Sequence, residues 1–266
     1  MQPGRCEGAG LHESARAFYC RAIAAVNTTG VPFLIGGAYA FERYTGISRH
    51  TKDLDFFLRP ADVECALSAL ARAGCTTEIT CPHWLAKAFH GDDYIDVIFR
   101  FGNGLGEVDD AWFEHAEVSE ILGCRVRLCS PEEIIWSKGF VHERDRYDGA
   151  DIVHLLHARA ESLDWPRLLG RFEPQWQVLL SHLILFGFVY PSERTRIPAW
   201  LTRELLLRAQ EELSGPPLSD RLCQGTLISG EQYLVDVERW GYLDARLEPW
   251  GKLTPEQIEQ WKASLS

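Results

Sequence analysis

The sequence predicts an α/β (α+β) protein in two parts: a small mixed β-sheet with flanking helices over residues 1–129, followed by a mainly helical part over residues 130–266. Three observations point there. Short apolar, β-branched or aromatic runs alternate with three- and four-residue apolar spacing as far as Cys129, which is how strands and helices built into one layer read. From Ser130 onward the helical spacing takes over. The chain has 266 residues, 46% of them hydrophobic and 24% charged, enough apolar material for sizeable cores and too many residues for an ordinary single domain.

Taken in order, residues 11–28 (LHESARAFYCRAIAAVNT) read as a helix packed on one face, and Val31 to Ile35 as a short buried strand running into Gly36-Gly37. Ala38 to Tyr44 is helical again. Leu54 to Leu58 reads as a central strand, and Pro60 opens a helix that Gly74 stops. Thr76 to Thr80 and Tyr94 to Phe101 are further strands, and Arg125 to Cys129 reads as the last. Ser130 as cap, Pro131 in the first turn and Glu133 three residues after the cap announce the first helix of the second part. Helices are then expected over Ala150 to Arg159, Trp165 to Phe172, Trp176 to Phe188, Ala199 to Leu213, Gly230 to Trp240 and Pro255 to Ser264, with Gly215-Pro216-Pro217 as the linker.

The formal charge of -11 argues against a surface coated in phosphate contacts, because nucleic-acid affinity comes from clustered Lys and Arg releasing counterions. The eight cysteines form no C-x-x-C pair and read as reduced thiols in a cytoplasmic protein. The N-terminal residues lack the apolar run of a secretory signal. Trp176 to Tyr190 (WQVLLSHLILFGFVY) is shorter than the roughly 20 residues a bilayer requires, so no membrane contact is expected and this segment reads as a buried helix.

Chemistry concentrates in Gly36 to Leu58, GGAYAFERYTGISRHTKDLDFFL. Side chains alternate along a strand, so Asp53 and Asp55 point to one side with Leu54 between them. Two carboxylates held so close repel unless a cation or proton sits between them, and oxygen ligands suit Mg²⁺ or Mn²⁺. The glycine pair, lacking side chains, lets backbone N–H groups approach an anion, with the positive end of the following helix behind them. A third carboxylate, Asp96, interrupts the apolar run Tyr94 to Phe99, where a charge needs a partner or a metal. Each feature also has a plain explanation: a tight turn, a solvated strand entry, a strand-edge aspartate facing water. If the strand of Asp96 lies beside Leu54 to Leu58, the three carboxylates converge.

Glycine pair, paired aspartates and a lone aspartate in a later strand, in that order, resemble the polymerase β-like nucleotidyltransferase superfamily. The string Arg49-His-Thr-Lys-Asp-Leu-Asp-Phe-Phe is similar to its minimal and abortive-infection toxin branch, with an Arg four residues and a Thr two residues before the first Asp. A second likeness lies in SPEEIIWSKGFVHERDRYDGADIVHLL, where Lys138, Arg144, Arg146 and Asp151 occupy the places of that family's Lys, Arg-rich turn and Asp-containing helix. Together the two cover about residues 31–156.

The resemblance implies a metal-dependent enzyme that moves a nucleoside monophosphate from an NTP to a hydroxyl and releases pyrophosphate, with the nucleotidyltransferase domain over 1–129 and an acceptor-binding helical domain over 130–266. It implies that Asp53 and Asp55 hold two divalent ions on the triphosphate, and that Asp96 binds one of them and helps deprotonate the acceptor. Gly36, Gly37, Arg49, Thr51, Lys52, Arg144 and Arg146 would serve the nucleotide. Lys138 would meet its phosphates, and Asp151 would hold Lys138 or an Arg in place. The acceptor could be a small molecule, a protein or an RNA end, and a cognate antitoxin is an implied partner. A noncatalytic interaction or regulatory module of the same fold is the alternative.

Other features read as structural: His154 and His157 without a third metal ligand, and Trp136, Trp165, Trp176 and Trp240 as packing of the second part. Arg194, Arg196, Arg203 and Arg208 form a modest basic stretch, a solvated face or an acceptor rim. Residues 218–252 read as an extension covering the helical part or its cleft.

Overall fold

The computed structural model describes residues 13–49, 51–217 and 220–264. The N-terminal residues in which no secretory signal is read, and the first two residues of the helix expected over 11–28, lie outside the described residues. The chain divides into two compact units with the break after Ser130; residues 103–105 group with the second unit and the residues from Glu256 onward with the first.

In the first unit, α1 (Glu13–Asn27) buries Phe18, Tyr19, Ala22, Ile23 and Val26, the three- and four-residue spacing of a one-sided helix. It is followed by β1 (Leu34–Ile35), α2 (Gly37–Thr45), β2 (Asp53–Phe57), a short 3-10 turn (Pro60–Asp62) and α3 (Val63–Arg72). Then come β3 (Thr76–Cys81), β4 (Leu85–His90), β5 (Asp93–Ile98), α4 (Asp110–Glu114), β6 (Glu117–Ile121) and β7 (Cys124–Leu128). The seven strands form one mixed sheet in the order β3-β4-β5-β2-β1-β7-β6. β2 runs parallel to β5 and antiparallel to β1, and β1 runs parallel to β7.

The sheet core is aromatic. Trp112 is fully buried against the Phe57 ring at 5.2 Å, and Phe33 meets Phe56 at 4.7 Å. Leu54, Phe56, Ile95 and Val97 are buried on one face of β2 and β5, so the alternate residues Asp53, Asp55, Tyr94 and Asp96 share the other. Core packing therefore fixes which way the carboxylates point, since a slip of one residue would bury them.

The second unit contains α5 (Pro131–Gly139), α6 (Gly149–Arg159), α7 (Trp165–Phe172), α8 (Trp176–Val189), α9 (Ala199–Ser214), β8 (Leu222–Cys223), α10 (Leu234–Glu238) and β9 (Leu243–Asp244); α11 (Pro255–Ser264) closes the described chain. Buried Glu132 and Glu133 on α5 meet Arg167 and Arg171 of α7, with Arg167 Nη1 2.6 Å from Glu133 Oε1 and Arg171 Nη2 3.0 Å from the same oxygen. Glu133, expected as the reciprocal member of a capping box, is thus an anchor between helices.

Several expectations need correction. The strand expected from Val31 shrinks to Leu34–Ile35, beside Pro32, which has no N–H for a ladder. Strands β4 and β6 were not foreseen, and β7 is not the last, because β8 and β9 pair in parallel within residues 218–252. The helix expected over Gly230 to Trp240 is helical only from Leu234 to Glu238, and Trp240 is exposed. The segment Trp176 to Tyr190 is not a buried helix: α8 buries Leu179, Leu180, His182, Leu183 and Phe186 but leaves Ile184 59% and Phe188 79% exposed. Residues 220–252 pack on the helical part, one of the two placements expected of this segment: the His142 backbone N–H donates to Ile228 O at 3.0 Å, Glu143 accepts from Ser229, and buried Arg246 pairs with buried Asp244. Among the described residues no helix is long and apolar enough to cross a membrane, and the seven cysteines are free thiols.

Candidate metal centre

The parallel register of β2 and β5 sets Asp55 opposite Asp96 and Asp53 opposite Tyr94. The three carboxylates each offer an oxygen, and these oxygens lie within 4.8 Å of one another; all three side chains are half-buried. Among the described residues this is the one group of three such ligands. Three like charges at this separation oppose one another unless positive charge stands among them, and an all-oxygen donor set suits a hard divalent ion.

Supporting contacts hold Asp53 and Asp96. Thr51 Oγ1 donates to Asp53 Oδ1. Tyr19 OH donates to Lys52 O at 3.0 Å, pinning the backbone one residue before Asp53. Lys87 Nζ donates to Asp96 Oδ1 at 2.7 Å and sits 4.3 Å over the Tyr94 ring. In the order β4-β5-β2, Lys87 reaches Asp96 from the strand opposite to that of Asp55, so its ammonium neutralises one side of the acidic group. The negative field extends to the neighbouring phenols. Tyr39 is pushed up to about 12, by burial first and then by Glu42, Asp53 and Asp93. Tyr19 is raised further, again by burial first, with Tyr39, Asp93 and Asp53 adding to it.

The glycine pair is explained by what it touches. A Cβ on Gly36 would enter the Phe57 ring, and one on Gly37, whose φ is +53°, would fall inside the Asp55 carboxylate. The start of α2 therefore lies directly against Asp55, where the positive helix end favours a carboxylate or another anion. The Gly36 N–H is occupied, donating to Asp55 O at 3.1 Å as the β1–β2 pairing continues. It is not available to an anion in the way expected of it.

The remaining candidates divide. Arg49 is exposed, with its guanidinium 4.5 Å over the Phe41 ring on α2, and the Lys52 side chain is exposed. Lys138, Arg144, Arg146 and Asp151 belong to the second unit. There Lys138 Nζ lies 2.7 Å from Asp148 Oδ2 and 2.9 Å from Asp151 Oδ2, so Asp151 does hold Lys138, and Asp148 is a partner the sequence did not single out. Arg146 joins Asp148 at 3.2 Å, while Arg144 is exposed. Burial pushes the Asp148 carboxyl up, but Lys138 and Arg146 outweigh it and leave it below its ordinary range.

Lys87 is the member of the metal centre that sequence reasoning missed. The two-residue Gly91-Asp92 connection between His90 and Asp93 was the available signal, since such a pair joining two strands marks a hairpin and would have placed LAKAFH beside the strand of Asp96.

No protein-family model and no curated protein matches the chain. Among solved structures it is similar to the antibiotic-resistance factor ANT(2'')-Ia, at 19% identity and a TM-score of 0.45 over 65% of this chain and 98% of that one. It is also similar to the lincosamide antibiotic adenylyltransferase LnuA, at 16% and 0.39 over 55% of this chain and 96% of that one. An antigenic nucleotidyltransferase-like protein from Paracoccidioides brasiliensis stands at 15% and 0.44 over 70% and 93%.

Proposed function

We propose that the chain is a metal-dependent nucleotidyltransferase that moves a nucleoside monophosphate from an NTP to a hydroxyl acceptor. One observation carries this reading: the oxygens of Asp53, Asp55 and Asp96 lie within 4.8 Å of one another beside a helix start that only glycine can occupy. The donor set fits Mg²⁺ or Mn²⁺, with Asp53, Asp55 and Asp96 as ligands. When bound, the ion acidifies the acceptor hydroxyl and neutralises charge on the departing phosphates.

The residues of the chain supply the rest. Thr51 and the start of α2 hold Asp53 and Asp55 in place, and Lys87 holds Asp96 through one of its oxygens. Asp96 takes the acceptor's proton as the acceptor oxygen bonds to the α-phosphorus. The bond from that phosphorus to the bridging oxygen breaks, and pyrophosphate leaves with the electron pair. The sequence resemblance supports assigning Arg49, Lys52, Lys138, Arg144 and Arg146 to the nucleotide, and it alone supports a toxin setting with an antitoxin partner. The acidic net charge favours a small molecule, a protein hydroxyl or an RNA end over a broad RNA surface.

Incubation of the purified chain with each α-labelled NTP, Mg²⁺ or Mn²⁺ and a cell extract tests the reading. Label is expected in one acceptor fraction, which names the acceptor class, and Asp53→Asn abolishes it. Equal labelling by Asp53→Asn removes the proposed metal role. Nucleotide binding without transfer by the native chain in any extract points to the noncatalytic module.

A further inference from the structure

The second unit exposes apolar side chains where a helix would be expected to cover them. More than half of the exposed large apolar residues among those described lie on α8 and α9. On α9, Trp200, Leu206, Leu207 and Leu213 are all exposed, Leu213 by 88%, while Leu201 and Leu205 are buried. With Arg203 and Gln210 these exposed residues recur every three or four positions, a continuous stripe on the side away from the buried leucines. Beside its N-terminal half a cavity of about 550 Å³ opens, lined by Ile197, Ala199, Leu206 and Leu207 together with Arg194 and Arg203. Contiguous exposed apolar surface of this kind marks an association site.

The charges along the stripe identify the occupant. Arg203 and Glu211 are both exposed, and among the described residues neither is in an ion pair, whereas Arg208 between them is already taken by Glu173 and Glu204. Eight residues apart, they stand about 12 Å from each other along one helix, too far to pair within a chain. An antiparallel copy of the same helix crossing at Leu206 and Leu207 removes that separation. Arg203 lies about 5 Å and Glu211 about 7 Å from the crossing on opposite sides, so each faces the other in the second copy. The same crossing sets Trp200 against Leu213 and brings the other copy's Leu213 over the cavity.

We propose that α9 is the seam of a symmetric homodimer, two copies crossing antiparallel at Leu206–Leu207 with Arg203 and Glu211 paired twice across the two-fold axis. The interface is isologous, the same patch serving both subunits, so one set of residues supplies both halves of each contact. The apolar stripe provides the association energy and the two ion pairs fix direction and register.

Sedimentation velocity of the full chain over a range of concentrations tests this. A monomer–dimer equilibrium is expected. Arg203→Glu and Glu211→Arg should each weaken it about tenfold or more, and the double exchange should return it to within about threefold of the native value, because each single change faces like charges and the double restores the pairs. Leu206→Glu with Leu207→Glu should leave a monomer whose circular dichroism is unchanged; the exchanged charges, being exposed, carry the test if that variant fails to fold. A native chain that is monomeric at every concentration overturns the proposal. So does a dimer indifferent to all of these changes, or one weakened by each charge change without recovery in the double.

Discussion

Lys87 Nζ lies 2.7 Å from Asp96 Oδ1 across adjacent strands whose register sets the two residues opposite each other. The ammonium has two effects on a divalent centre. It repels the incoming ion, and it fixes the carboxylate that must serve that ion. Lys87→Met removes both, so binding and turnover should move in opposite senses: Mn²⁺ affinity rises while kcat falls about tenfold or more, and Lys87→Arg recovers part of kcat. Paired Mn²⁺ titrations and steady-state kinetics check this. Binding and kcat falling together would assign Lys87 to simple support of the fold.

Gly37 and Gly46 both hold positive φ, +53° and +73°, but only a Cβ at Gly37 meets another group, the Asp55 carboxylate; the space at Gly46 is open. Gly46→Ala should therefore cost about 1–2 kcal/mol of backbone strain with transfer intact. Gly37→Ala adds displacement of Asp55 to the same strain and should lose about tenfold or more of the activity. Urea unfolding beside the labelling assay separates the two variants.

His182 is fully buried on α8, with Nε2 3.0 Å from Gly139 O, and burial drives its imidazole down to about 4 from an ordinary value of 6.5, with neighbouring His142 adding slightly. The folded chain therefore refuses a proton that the unfolded chain accepts between those two values. Stability is full above about pH 6.5 and falls as pH drops toward 4, by up to about 3 kcal/mol. Unfolding free energies at pH 7 and pH 4.5 should show a smaller difference for His182→Gln than for the native chain.

Lys138 is held by Asp148 and Asp151, with side chains 16%, 12% and 8% exposed. Lys138→Met removes the cation that these two largely buried carboxylates share and should lower stability by about 2–4 kcal/mol. Adding Asp148→Asn and Asp151→Asn should recover much of the loss, since the repulsion disappears with the charges. Thermal unfolding of the single and triple variants measures this.

The sequence carried the carboxylates more clearly than their surroundings. Asp96 stood out because a charge inside an apolar strand needs a reason, and paired Asp53 and Asp55 follow from period-two geometry. Lys87 did not, because Ala86 and Ala88 on either side weaken the strand signal of β4. The β6–β7 hairpin was half hidden: of its two turn residues Gly123 is a usual one, but Leu122 before it holds φ 54°, a position where Asn, Asp or Gly would have been the signal. Glu133 matched a local capping pattern but is engaged by Arg167 and Arg171, more than thirty residues away in sequence. The apolar run of α8 cannot say which side faces solvent, and the exposed Ile184 and Phe188 became visible only once its neighbours were in place.

Binding of Mn²⁺ followed by electron paramagnetic resonance reaches the acidic centre without any need to know the acceptor. The native chain should bind the ion, with affinity lost about tenfold or more in each of Asp53→Asn, Asp55→Asn and Asp96→Asn while circular dichroism is unchanged. Equal Mn²⁺ binding by the native chain and by a variant carrying all three substitutions would contradict the proposed centre, and the transferase reading with it.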